Sequence, residues 1–514
     1  MLDKIEKSKT FNIIFFIAIF ALCLALCVKN SSVDFDFWSR LIMGSHVVHT
    51  GKPMLVDVVS YTPTHYWYDH EWLSSALYYL IITKFSGTGI VVLKSVTVFI
   101  TILLIHLIIS YRAGSFSYKY KYFYILLIIS ILTIFNFFDR ARCQDFTYVF
   151  YLTYILILEH QRKNTSSKII YLTPLLMLLW LNCHGASVFG LCMLVIYAIG
   201  EFLNAKPFKH YLFALVPNLL VYFINPWGVE FVKFMVFATS SVDRSYIGEW
   251  QSPFHLRNEF KNQSVIAFIL IFALYFYNLI NNKINFKTID YTKLFMLIFA
   301  FIPALLYIKF RTTLLITVFV FMYEDIKKFL DDCLLKIKFK FPLGVVSFAI
   351  YIITSIYLFL NFSITNNWYL NASRELPLKC MQFLCDNNIK GNVFAPFNFG
   401  GFIAYKHAPD FKIFLDGRQE QVYDYEISVK HMDLLNLEYF EAPEIFNEHP
   451  TDIIIMQDFW RFNQFLDNQN YFKKVYQEGT FSVYLAPAAQ KFSYTYPVSA
   501  VDYTIDKFFK SKSF

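Results

Sequence analysis

Two short stretches carry a dense set of acids. Asp34 and Asp36 stand two residues apart in DFDFW (34–38), and Asp69, His70 and Glu71 form a run in WYDHEWL (67–73). On an extended segment Asp34 and Asp36 share a side, whereas on a helix they point about 200° apart. Carboxylates close to hydrocarbon are costly unless they are paired, hydrated or used. One use is general-base chemistry, in which Asp34, Asp36 or Glu71 takes the proton of an attacking hydroxyl. Another is holding a hard divalent cation, Mg or Mn, on clustered carboxylate oxygens. The plain reading is that these are solvated loop residues.

Basic residues add a second chemistry. Arg140 and Arg142 lie in FDRARCQD (138–145), and Lys309 and Arg311 in IKFRTT (308–313). Guanidinium forks suit bidentate contacts to phosphate, so these four are candidates to hold a lipid phosphate. The alternative is pairing with Asp139, Asp145 or headgroups. His184 in LNCHGAS reads first as a structural hydrogen-bonder and Trp227 in NPWGVEF as an interfacial anchor, with Glu249 a weaker candidate on the same outer loop. The substrate-contact candidates are therefore Asp69, His70, Asp145, His184, Trp227 and Glu249, joined by Asp416 and Arg418 of DGR (416–418) in the tail. Asp416 and Arg418 also read as a pair flanking a glycine turn.

The elements that must position these residues are membrane helices. Of 514 residues, 56% are hydrophobic and 16% charged, against roughly 25% charged in ordinary soluble domains. A span needs about 20 apolar residues. Candidates are 11–28, 88–110, 122–138, 144–159, 168–182, 186–202, 211–226, 263–281, 292–308, 312–328 and 342–362. The stretch WLSSALYYLIITKFSG (72–87) is short and opens beside the acids. If it does not cross, the basic loops YRAGSFSYKYK, QRKNTSSK, NAKPFKH and NNKINFKTIDYTK all fall on one side with the N-terminal KIEKSK. The positive-inside rule then gives about eleven spans, a juxtamembrane helix over 72–86, and the acids on the outer face. The net charge of +8 reflects those inner loops rather than nucleic acid. The eight cysteines form no disulfide framework, and the first apolar segment reads as a retained helix.

The tail, 364–514, reads as a small extracytoplasmic α/β domain after a transmembrane domain over 1–363. LPLKCMQFLCDNN predicts a helix, and NVFAPF, KIFLDGR, TDIIIM and GTFSVYLAP predict strands. Gly400–Gly401 suits a tight turn between elements.

An acidic outer loop after the first span, many spans and an outer domain together resemble the GT-C superfamily of membrane glycosyltransferases. The motifs DFDFW, GSHVVHTGKPMLVDVVSYT (44–62), WYDHEWL, RARCQDF, LWLNCHGASVFG, NPWG, FNFGGFIAY and FLDGRQEQVY look, in that order, like bacterial multispan proteins of this kind. The resemblance implies a polyprenyl-phosphate sugar donor such as an undecaprenyl-linked hexose. It implies inverting transfer on the outer face of the inner membrane, to a glycan or lipid-linked acceptor such as O-antigen of lipopolysaccharide. It places the base at Asp34 or Asp36, with Glu71 orienting the acceptor or holding a metal. Arg140, Arg142 and Arg311 then neutralise the departing phosphate. Two other classes stay open: a flippase for a lipid-linked sugar, for which Lys94 inside a span is the one clear pointer, and a non-catalytic envelope assembly protein.

Overall fold

The structure is a computed structural model that describes residues 9–29, 33–113, 140–240, 247–254, 289–335, 343–363, 376–405, 407–418, 421–437 and 442–489. Two expected spans, 122–138 and 263–281, lie outside them. The others fall on helices: Lys9–Lys29, the second part of Trp72–Ala113, Gln144–Lys163, Thr173–Cys183, Val188–Leu203, Lys209–Val221, Tyr291–Leu306, Arg311–Leu335 and Leu343–Leu358. Among the described residues, Trp72–Ala113 and Gly185–Leu203 are each long and apolar enough to cross a membrane. Shorter apolar helices are Ile13–Lys29, Ile169–Cys183, Tyr291–Leu306 and Phe348–Asn361. Large apolar side chains face outward from this bundle, among them Leu175, Phe213, Leu220 and Ile353. Water would not favour such a belt, but hydrocarbon does.

The Trp72–Ala113 helix is two helices in sequence. Ser86 breaks it with φ 55° and ψ −159°, a left-handed conformation that a serine rarely adopts. The segment before the break rises about 20 Å at 1.5 Å per residue, short of the roughly 30 Å of a bilayer core.

The segment after the first apolar helix holds a helix of its own, Asp36–Thr50, ended by Gly51 at φ 71°. The tail forms a five-stranded sheet in the order β2-β1-β3-β5-β4. Its strands are β1 Gly391–Phe394, β2 Phe411–Ile413, β3 Ile453–Gln457, β4 Lys473–Glu478 and β5 Phe481–Leu485. The pairs β1–β2 and β1–β3 are parallel, and β3–β5 and β4–β5 antiparallel. Strand β4 was not expected: KKVYQE alternates weakly and has only two buried residues. Gly400 and Gly401 do not form a turn. They lie inside the Phe397–Ala404 helix, because both faces of that helix meet neighbours too closely for a side chain.

Loop and tail pack as one body. A single hydrophobic core runs from Val33, Trp38 and Trp67 to Phe394, Phe414 and Tyr484. The chain at 59–65 continues the sheet past β2: Ile413 N donates to Val59 O at 2.9 Å, Tyr61 N to Ile413 O at 3.1 Å, and His65 N to Val422 O at 2.7 Å. The edge of β2 is thereby covered. A second core holds the helix bundle together.

Candidate active site

Asp34 and Asp36 straddle the start of the Asp36–Thr50 helix and face different ways. Asp34 Oδ1 accepts from Asp36 N at 3.2 Å. Its other oxygen receives Arg142 Nε at 2.7 Å and a terminal guanidinium nitrogen at 2.6 Å. The 33–34 and 140–142 segments also pair through their backbones, with Asp34 N donating to Ala141 O. Lys94 fixes this turn from below, its ammonium 2.6 Å from Asp145 Oδ1 and 3.1 Å from Arg140 O. The second terminal nitrogen of Arg142 reaches Glu249 Oε2 at 2.9 Å.

Accessibility separates the two acids of the pair. The Asp34 side chain is buried, whereas Asp36 is exposed and Arg142 and Glu249 are each more than a third open. Asp36 is therefore open to solvent, where a substrate can reach it. Protein still surrounds it deeply. That lost solvation, then repulsion from Asp34, pushes its carboxyl well above the usual carboxylate range. Arg142 and Arg40 pull the other way, and Glu249 pushes with Asp34. A base so placed is stronger than a free aspartate.

Glu71 belongs to a neighbouring buried cluster. Arg40, one helical turn beyond Asp36, gives Asp69 Oδ1 a 2.6 Å bond, and its Nε lies 3.1 Å from Glu71 Oε2, off line for a hydrogen bond. Burial raises the Glu71 carboxyl, but Arg40, His70 and His184 together hold it below its usual value. His184 Nε2 is 3.6 Å and His70 Nε2 3.9 Å from Glu71 Oε1. Burial lowers the His184 imidazole to about 4. Its Nδ1 accepts from Ala186 N at 3.2 Å, which leaves the proton on Nε2, toward Glu71.

Ile308 N donates to Gln251 O at 3.0 Å, tying the Lys309 segment to that of Glu249. Lys309 sits over the Trp250 ring, Arg140 over Phe35, and Arg311 Nε donates to Ile308 O at 3.2 Å. Trp227 packs edge-on against Tyr68.

Asp416 and Arg418 are buried from solvent. Arg418 Nε bonds both Asp416 oxygens at 2.8 and 2.9 Å, and its fork reaches Asp57 Oδ1 at 2.6 Å. Ser39 Oγ donates to Asp416 Oδ2 at 2.9 Å. The Trp67 ring lies between Arg40, at 4.9 Å, and Arg418, at 5.3 Å. Ser39, Arg40 and Trp67 were not singled out from sequence. Arg40 alone gave a usable signal, four residues after Asp36 on the same helical face.

A divalent cation does not fit the acids as they stand. Asp34 is held by a guanidinium, and among the described residues no three His, Cys, Asp or Glu side chains are arranged to hold a metal ion. No step below is routed through one.

The chain matches no protein-family model, and no curated protein resembles it in sequence. Solved structures do resemble it. One is the archaeal oligosaccharyltransferase AglB of Archaeoglobus fulgidus in complex with an inhibitory peptide and a dolichol-phosphate. Its TM-score is 0.57 at 9% identity, over 95% of this chain and 75% of that one. Another is the Archaeoglobus fulgidus oligosaccharyltransferase tethered to an acceptor peptide containing the NVT sequon. It scores 0.57 at 10% identity, over 88% and 69%. The same enzyme in its apo form scores 0.55. The chain shares the fold of these structures. At these identities the likeness concerns the fold alone.

Proposed function

We propose that the protein is a membrane glycosyltransferase that takes a sugar from a polyprenyl-phosphate donor, with Asp36 as general base. The observation that carries this reading is an accessible, strengthened carboxyl, Asp36, within electrostatic reach of the partly open guanidinium of Arg142. An acceptor hydroxyl gives its proton to Asp36 while its oxygen attacks the anomeric carbon. The bond from that carbon to the phosphate oxygen breaks, and the lipid phosphate leaves with the electron pair. Attack from the face opposite the phosphate inverts the anomeric centre. Arg142 offsets the charge that develops on the phosphate, and Arg140, Lys309 and Arg311 supply further positive charge. The dolichol-phosphate bound by the structural neighbour supports a donor of this class.

In this reading the acceptor is a cell-surface glycan or a lipid-linked sugar such as O-antigen, and the transferred unit a hexose. The membrane is the bacterial inner membrane, with about eleven spans over 1–363, a cytoplasmic N-terminus and the 364–514 domain outside. Glu71, His70 and His184 lie beside the acceptor. A flippase would use a charge within the spans, but Lys94 is buried against Asp145 and Arg140 O, which favours the transferase. The test is release of labelled sugar from polyprenyl-phosphate donors by membranes carrying the protein. Release above that of empty membranes is expected. No release from any such donor by folded protein sinks the reading.

A further inference from the structure

The outer domain meets the candidate base at Gly417. A β-carbon built on Gly417 would overlap Asp36 Oδ1, would stand 3.0 Å from its Cγ and would lie 3.8 Å from its Cα. All three nearest atoms belong to Asp36, and only the contact with Cα is an ordinary one. Gly417 is thus a wall against the end of the carboxyl, not against the backbone beneath it.

The residues on either side fix that wall. Asp416 is bonded by Ser39 of the Asp36–Thr50 helix, three residues beyond Asp36. Arg418 is held by Asp416 and by Asp57 of the outer loop, and Asp57 also accepts from Ser60 N at 2.9 Å. Through Trp67 the clasp continues to Arg40 on the next turn of the same helix. The Phe397–Ala404 helix closes the arrangement. A β-carbon on Gly401 would lie 2.8 Å from Ser39 N, and one on Gly400 would lie 2.9 Å from Asp416 Cβ. So the helix of Asp36 and the turn of Gly417 are both seated on one pair of glycines. Every charged side chain in the clasp is at most 7% exposed, so none of it is available to a substrate. Gly417 itself is only partly covered.

We infer that the Asp416–Gly417–Arg418 turn is a positioning element for Asp36, in which Gly417 sets where the exposed carboxyl stands. This rests on Asp36 being the base. The turn belongs to the tail and the base to the first outer loop, so the two parts of the chain build the site jointly.

The test uses the full-length protein and two readouts. Gly417→Ala should displace the carboxyl and lower kcat about a hundredfold, the loss expected of an ångström-scale misplacement. The donor KM should stay within about twofold and the acid limb of the pH profile should move, neither of which a general loss of fold would produce. The second readout needs no activity. Gly417→Ala should lower the Tm, and the loss should vanish when the same change is made in an Asp36→Ala background, because the added methyl then meets only an α-carbon at contact distance. A Gly417→Ala protein with wild-type kcat and pH profile overturns the inference. So does a Tm loss, or a failure to fold, that persists in the Asp36→Ala background. If wild type transfers no sugar, the enzymatic reading fails on its own, and the Tm cycle still decides whether Gly417 acts on Asp36.

Discussion

Arg142 grips one oxygen of Asp34 through two nitrogens, at 2.7 and 2.6 Å, and this ion pair divides the work of the acidic pair. Asp34 is buried and engaged, so it orients Arg142. Asp36 is left exposed, with its carboxyl pushed upward in pKa by lost solvation and by Asp34 itself.

Replacing the two acids should therefore have unequal effects. Asp36→Asn removes the base and should lower kcat by about 10²–10⁴-fold with little change in Tm. Asp34→Asn leaves Arg142 without its main partner, so it should weaken the donor KM and lower the Tm as well. Steady-state kinetics beside thermal unfolding separates the two patterns.

The raised Asp36 carboxyl also sets a pH dependence. Its base form is lost as pH falls through its raised value. The acid limb of kcat/KM should thus lie clearly above the roughly 3.9 of a free aspartate. Asp34→Asn removes the largest neighbouring charge that raises it and should move that limb to lower pH. An acid limb near the free value in wild type would contradict the assignment.

At Arg142 the fork matters as well as the charge. Arg142→Lys keeps a cation but cannot hold Asp34 and Glu249 together while facing a phosphate. Donor binding should weaken about tenfold in Arg142→Lys and further in Arg142→Ala, measured by titration with a polyprenyl phosphate.

The Arg418 clasp should dominate the stability of the body that the first loop and the tail form together. Arg418→Ala leaves Asp57 and Asp416 buried without their counter-ion, at a cost of about 3–5 kcal/mol. Arg418 holds the Asp57 carboxyl below its usual range despite burial. This contribution is therefore present above the ordinary carboxylate value and lost as pH falls through the depressed one. Limited proteolysis of the tail reads it out.

His431 gives a second, separable slope. It is buried, donates Nε2–H to Ala395 O at 2.9 Å and stacks on Phe414, and burial lowers its imidazole to about 4. The unfolded chain takes up that proton near 6.5. Stability should be complete above about pH 6.5 and fall by about 3 kcal/mol toward pH 4. His431→Gln should flatten that part of the curve.

Much of the frame was legible because period and composition are local. The apolar runs mark the helices, and IIIM and FSVYL mark the central strands β3 and β5. The break at Ser86 agrees with reading 72–86 apart from the span that follows. The site was legible only in pieces. Asp34, Asp36 and Arg142 could be named from residue type, but not which acid takes the arginine. Arg418 and Asp57 are 361 residues apart, and no local pattern joins them. Gly400–Gly401 misled for a physical reason: a glycine pair marks a turn or a close approach equally well, and here a helix needs two close approaches at once.

The central claim is that Asp36 takes the acceptor proton in transfer from a lipid-linked sugar. Its most direct test is single-turnover transfer from a labelled polyprenyl-phosphate sugar at saturating donor, in wild type and Asp36→Asn. The account predicts donor binding in both and transfer at least a hundredfold slower in Asp36→Asn. Equal single-turnover rates in the two proteins would contradict it.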